Sequence, residues 1–204
     1  MTSSKLKLPD VTLILLTNRD FEGAKKAIDK SSERIEWGAS KIIWDEKLNG
    51  IDSWNHKIIY DLPKYVDTSH TMLIHQDGHV IHPELWNPTW LELDYIGAPW
   101  PSPKDTYSYI DDIGRVQRVG NSVSLRSKKL MDAVARVPEE YFWSFKEKYG
   151  NTNEDGFISC HNRSYLQRLG CKFATLEQAI HFSKEHEIPE NIGIETFAFH
   201  QVDL

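Results

Sequence analysis

His75, Asp77 and His79 sit two apart, behind the short apolar run Met72-Leu73-Ile74 and ahead of Val80-Ile81. In an extended strand alternate side chains share one face. Imidazole, carboxylate and imidazole would then project together, a donor set that suits a divalent metal. His75 precedes the turn that Gly78 allows, and a core histidine satisfied by its neighbours is the plainer reading of it. A second group is Glu154-Asp155, paired acids just ahead of a helical pattern from Phe157 to Leu169 that Gly170 closes. A carboxylate there can take a proton from a hydroxyl. It can equally cap the helix and meet its dipole.

The elements that must position these groups follow from periodicity. Val11 to Leu16 reads as a buried strand, ending in Thr17-Asn18-Arg19-Asp20. A helix follows from Phe21 to Ser31, with Ala24, Ala27 and Ile28 at helical spacing. Lys41 to Trp44 is a second strand, closed by Asp45-Glu46, and Trp54 to Tyr60 a second helix that Pro63 ends. Thr71 to Asp77 is a third strand. Alternating units of this kind imply an α/β fold with a mainly parallel sheet, whose ligands sit beyond the carboxyl ends of the strands. Thr17, Asn18 and Arg19, then Asp45, then Gln76 and Asp77 are the polar groups at those ends. No Gly-x-Gly-x-x-Gly or Walker loop stands at any of them, which weakens the common dinucleotide and P-loop readings.

Beyond residue 90 a short strand runs into Gly97-Ala98-Pro99-Trp100. Residues 101–113 lack periodicity and read as a long loop. Val116 to Val119 is a further strand, and the small residues after Gly120 permit close backbone approach. Ser127 can cap a helix from Lys128 to Val137. Arg126 suits either a surface carboxylate or a phosphate. Lys172 to Ala174 is a short strand before a helix that reaches Phe182.

The bulk numbers exclude several classes. With 204 residues and 40% apolar content the chain forms one globular domain, with residues 1–9 frayed. A net charge of −6 argues against a general nucleic-acid binder. Two cysteines make no disulfide framework, and no apolar run reaches membrane-spanning length, so the expected setting is cytoplasmic. Seven tryptophans offer flat faces for sugars or bases, although most read as core.

Four segments together resemble a known family: Asp94-Tyr95-Ile96-Gly97-Ala98-Pro99-Trp100; Val119-Gly120-Asn121 with Ser124-Leu125-Arg126-Ser127; Asn153-Glu154-Asp155; and Phe197-Ala198-Phe199-His200. They are similar to the DUF5672 family, regarded as GT-A type glycosyltransferases, over roughly Leu8 to His200. The resemblance implies a single GT-A-like (Rossmann-like) α/β domain, its central and mostly parallel sheet flanked by helices. It implies a nucleoside diphosphate sugar donor, a hydroxyl acceptor such as a glycan, and hexosyl or deoxyhexosyl transfer. Members hold a divalent metal through Asp-x-Asp after a buried strand. Here the motif reads Asp77-Gly78-His79, and histidine favours Mn²⁺ over Mg²⁺. His200 stands where a late histidine also touches the metal.

Transfer needs a neutralised diphosphate, a base for the acceptor and an oriented sugar. Asp77, His79 and His200 are the expected metal ligands, and Asp155 or Glu154 the base, Asp155 preferred. Trp100, Asn121 and Ser122 are expected along the sugar or acceptor side. A base acting on the acceptor implies inversion. Two other readings stay open: a nucleotide-sugar or glycan binding module without turnover, and a metal-dependent phosphoesterase built on His75, Asp77 and His79.

Overall fold

The computed structural model describes residues 4–105, 109–149 and 153–201, apart from the side chains of Asn121, Ser122 and Tyr149. Strand β1 (Leu6–Thr17) is the hydrophobic spine. Its residues from Val11 to Thr17 are all buried, as a strand covered on both faces must be. Leu13 and Leu15 point into one apolar cluster, Ile14 and Leu16 into another on the opposite face. Helix α1 (Phe21–Ser32) begins at Asp20, whose carboxylate accepts the Gly23 N–H at 2.9 Å. Strand β2 (Ile35–Trp44) and helix α2 (Ile51–Tyr60) follow, then β3 (His70–Ile74). Next come β4 (Tyr95–Pro99) and β5 (Val119–Ser127).

These five strands form one sheet in the order β2-β1-β3-β5-β4. β1 pairs in parallel with both β2 and β3, and β5 runs antiparallel between β3 and β4. Four of the five therefore point the same way. The carboxyl ends of β1, β2 and β3 lie side by side, with Thr17 opposite Trp44 and Leu15 opposite Ile74.

Helix α3 (Lys128–Val134) starts at Ser127, whose hydroxyl accepts the Leu130 N–H at 3.0 Å. α4 (Glu139–Tyr149) precedes a three-residue helical turn, α5 (Glu154–Gly156). Then come α6 (Arg163–Arg168) and α7 (Leu176–Phe182). A small second sheet pairs β6 (Ser183–Lys184) with β7 (Ala198–Phe199) in parallel.

Several sequence expectations change. Leu6 to Pro9, expected to fray, open β1 and pair with β2 from Leu6 onward. β2 starts at Ile35, well before Lys41; its alternating burial is that of an edge strand with one wet face. The strand expected over Val116 to Val119 instead begins at Val119 and runs on through the small residues after Gly120 to Ser127. The helix expected from Phe157 to Leu169 is interrupted: a π turn over Phe157–His161 precedes α6. Lys172 to Ala174 contributes a single bridge, Phe173 to Tyr95.

Arg126 is neither a surface residue nor a phosphate ligand. It is 1% exposed, on the inner strand β5. Its Nη2 lies 2.9 Å from both carboxylate oxygens of Glu154, also 1% exposed, and its Nε donates to Ser124 at 2.8 Å. This pair fastens α5 to the sheet. Breaking a buried pair from one side strands the other charge, so Glu154→Ala is expected to cost about 3–5 kcal/mol. A denaturant melt would show it as a lower midpoint, and Arg126→Met combined with Glu154→Leu is expected to recover most of the loss.

Candidate functional site

A cavity of about 1090 Å³ opens beyond the carboxyl ends of β1 and β3. Its wall includes Thr17 to Asp20 after β1, Leu48 to Ile51 before α2, His75 to Asp77 after β3, Asn153 to Asp155 at α5, Glu185 and His200. A location beyond parallel strand ends is where α/β sheets place ligands.

The expectation that His75, Asp77 and His79 line one strand face fails, because the strand stops before them. β3 ends at Ile74, and His75 to Gly78 fold into a tight turn. The His75 N–H donates to the Gly78 carbonyl at 2.7 Å, and the Gly78 N–H returns to His75 at 3.3 Å. Alternation of faces requires extended backbone, and the turn removes it. Gly78 is needed here for close approach: a Cβ would fall 2.7 Å from both His200 and Val123 side-chain carbons.

Asp77 is thereby carried to the turn's tip, its side chain 60% exposed at the cavity. His75 stays below, its ring against Trp54 at 5.2 Å and His200 at 4.9 Å. His79 goes elsewhere. It is buried against Phe199 at 4.8 Å and does not line the cavity. Burial, helped by Lys30, holds its pKa below the ordinary imidazole value.

The tail supplies what His79 does not. Residues 198–201 lie between the segment after Asp77 and β6. The Gln201 N–H donates to Asp77 O at 2.9 Å, Phe199 N–H to His79 O at 3.1 Å, and His200 N–H to Lys184 O at 2.9 Å. His200 is thus wedged between two acids. Its Nδ1 is 2.9 Å from Glu185 Oε1, and its Nε2 is 3.4 Å from Asp77 Oδ1. Burial alone would lower its pKa, but the hydrogen bond and charge of Glu185, with Asp77 added, raise it above the ordinary value.

The first strand end is also tied down. Gln76 Nε2 donates to Thr17 Oγ1 at 2.7 Å and to Arg19 O at 2.9 Å, locking the ends of β1 and β3 together. Asn18 donates to Leu48 O at 2.5 Å. The exposed Arg19 side chain has no carboxylate partner among the described residues, and it lines the cavity.

Asp45 and Trp100 are placed outside this wall. Asp45 pairs with Lys57 at 2.6 Å, and that contact keeps its carboxyl below the usual range. Trp100 is 4% exposed, stacked on Tyr109 at 4.3 Å and packed flat over Gly120, where a Cβ would meet its ring at 2.0 Å. The backbones of Asn121 and Ser122 belong to β5, and their side chains lie outside the described residues.

Of the acidic pair, Glu154 is committed to Arg126, which removes it as a base. Asp155 faces the cavity beside it. Burial and the neighbouring Glu154 charge push its carboxyl up to about 7, against a smaller pull from the Gly156 N–H at 2.7 Å and Arg126. The acids act as no side-chain cap: α5 starts at Asn153 without one.

Among the described residues no group of three or more His, Cys, Asp and Glu side chains is arranged to hold a metal. With His79 buried outside the cavity, His75, Asp77 and His79 do not converge as the phosphoesterase reading requires. Asp77 and His200 still fit a divalent ion. They offer one carboxylate and one imidazole nitrogen, and the other nitrogen faces Glu185, as ligating histidines commonly require.

Glu185 escapes a reading of the sequence, where Lys184-Glu185-His186-Glu187 looks like a charged surface run. The raised Asp155 carboxyl has a thermodynamic consequence. It binds its proton more tightly folded than unfolded, so its contribution favours folding at low pH and is lost as pH rises toward 7. Asp155→Asn is therefore expected to stabilise the protein at about pH 8, on the order of 2 kcal/mol after allowing for partial exposure, and little at about pH 4. Thermal melts at the two pH values read the difference.

No curated protein sequence matches this chain. Two solved structures share its fold. A glycosyltransferase involved in glycosylation of the major capsid of PBCV-1 superposes with a TM-score of 0.59 at 9% identity, over 95% of this chain and 93% of that one. An active-site mutant of LgtC superposes with a TM-score of 0.51 at 12% identity, over 93% of this chain and 86% of that one. The chain thus has the GT-A-like α/β fold seen in glycosyltransferases. The profile of DUF5672, described as a protein of unknown function, matches residues 55–200, most of the sequence, and the chain belongs to that family.

Proposed function

We propose that this protein is a glycosyltransferase that moves a sugar from a nucleoside diphosphate sugar to a hydroxyl acceptor, with inversion at the anomeric carbon. One observation carries the reading. A single cavity is lined by Arg19, Asp77 and His200 and by a separate carboxylate, Asp155, whose pKa is raised to about 7; the first three suit a diphosphate. Its volume is at the upper end of the roughly 300–1,000 Å³ usual for small-molecule sites, which suits a nucleotide with a sugar attached.

Arg19 is free to fork onto phosphate oxygens. The Gln76–Thr17 tie keeps the loop that carries it in place. Asp77 and His200 would hold the divalent metal, Mn²⁺ favoured because one donor is imidazole. When bound it neutralises the departing diphosphate. Asp155 takes the acceptor's proton while that hydroxyl oxygen bonds to the anomeric carbon and the bond to the diphosphate oxygen breaks. Attack opposite the leaving group inverts the centre. A carboxyl near 7 is matched to proton transfer at neutral pH.

The direct test is Asp155→Asn with a panel of nucleotide sugars and Mn²⁺. Transfer is expected to fall by about 10²–10⁴-fold with donor binding retained. The wild-type rate is expected to rise with pH through about 7, since the base must be ionised. Full turnover in the variant, or a product with the donor's configuration retained, removes the base assignment. No thermal shift with any nucleotide sugar, with or without Mn²⁺, sinks the whole reading, whereas binding without transfer to any acceptor points to a recognition module.

A further inference from the structure

We infer that Glu185 is a positioning residue of this site: it holds the Nδ1–H of His200, so that Nε2 is the nitrogen presented beside Asp77. This rests on reading Asp77 and His200 as the metal-binding pair.

A carboxylate can only accept, so the 2.9 Å contact between Glu185 Oε1 and His200 Nδ1 requires the proton on Nδ1. The opposite contact, Nε2 to Asp77, is longer at 3.4 Å. When the imidazole is neutral, the shorter bond keeps its proton, and the lone pair falls on Nε2 at the Asp77 edge. The ring's plane is fixed from other sides by His75 and by the bare Cα of Gly78. Those contacts set where the ring lies, but neither selects a tautomer. Glu185 does so, from the position directly after β6, with its side chain only 14% exposed. Its other oxygen lies 3.7 Å from His186 Nε2, too far for a hydrogen bond that would hold it on its own account.

Two measurements on the unligated full chain test this. The first is ¹⁵N NMR of the imidazoles in alkaline buffer, where His200 is expected as the Nδ1–H tautomer. An Nε2–H tautomer in the wild type overturns the proposal without any variant. The second is titration with Mn²⁺ alone, followed by electron paramagnetic resonance. Glu185→Leu is expected to weaken Mn²⁺ binding about 10–100-fold. Glu185→Gln, whose amide oxygen accepts the same bond, is expected to keep the tautomer and regain part of the lost affinity.

Unchanged affinity in Glu185→Leu overturns the proposal and leaves the glycosyltransferase reading standing. A wild type that binds no Mn²⁺ overturns both the positioning role and the metal pair. Affinities that fall as stated, in a protein that transfers no sugar, uphold Glu185 and remove the transferase reading.

Discussion

The buried pair between Arg126 and Glu154 is the constraint on which the site depends. Two full charges lie within the fold, each 1% exposed, and desolvating them costs more than most contacts return. The pair survives because the guanidinium is held on several sides: Nη2 donates to Glu154 Oε1 and lies 2.9 Å from Oε2, Nε reaches Ser124, and the cation sits 5.4 Å from the Tyr95 ring. Its effect is to pin a three-residue turn to the middle of the sheet. Asp155, the next residue, is thereby held half-buried in the cavity wall, beside a carboxylate whose charge is already paired. Arg126 offsets that charge only in part, so the Asp155 carboxyl stays high.

The other wall is assembled by a different device. The His75–Gly78 bonds close the turn that carries Asp77, but its tip gains further support from outside. The tail between β6 and the 77–80 segment supplies it, with backbone hydrogen bonds on both edges. His200 is therefore placed by main chain, and its side chain is wedged between acids from segments over a hundred residues apart. A site on strand edges and a turn braced from both sides is stiffer than one on free loops. The two walls are built independently, one from a buried ion pair and one from strand pairing.

What sequence reveals here follows the range of the interactions. β1 is legible because a strand buried on both faces must be continuously apolar, and α1 and α3 because Asp20 and Ser127 cap them locally. The position of the cavity at Thr17 to Arg19 and at Asp77 follows from the parallel order of the strands. The face that alternation assigns to His75, Asp77 and His79 does not form, because the chain turns over His75 to Gly78 before the alternation can act. Arg126 reads as a partner for a surface carboxylate or a phosphate and Glu154 as a base or cap, since their pairing is set by how β5 and α5 meet. Glu185 carries no local signal at all; it matters only because the tail returns beside it. Trp100 suggests a sugar wall by its type, but close packing with Tyr109 and Gly120 uses the ring as core.

The charge balance of the cavity ties these parts to one chemistry. Asp77, Asp155 and Glu185 all line it, against Arg19 and a histidine whose charge Glu185 and Asp77 promote. A diphosphate entering such a space would meet mostly like charge, which disfavours it unless cations come with it. In a glycosyltransferase, Asp77 and His200 would be the groups to hold such a cation. Asp155, whose carboxyl burial and the Glu154 charge push up to about 7, would be a weaker cation ligand and a better proton acceptor than Asp77. Burial would thus divide two of the cavity's acids between two roles, Asp77 for ion binding at the turn and Asp155 for proton transfer at α5.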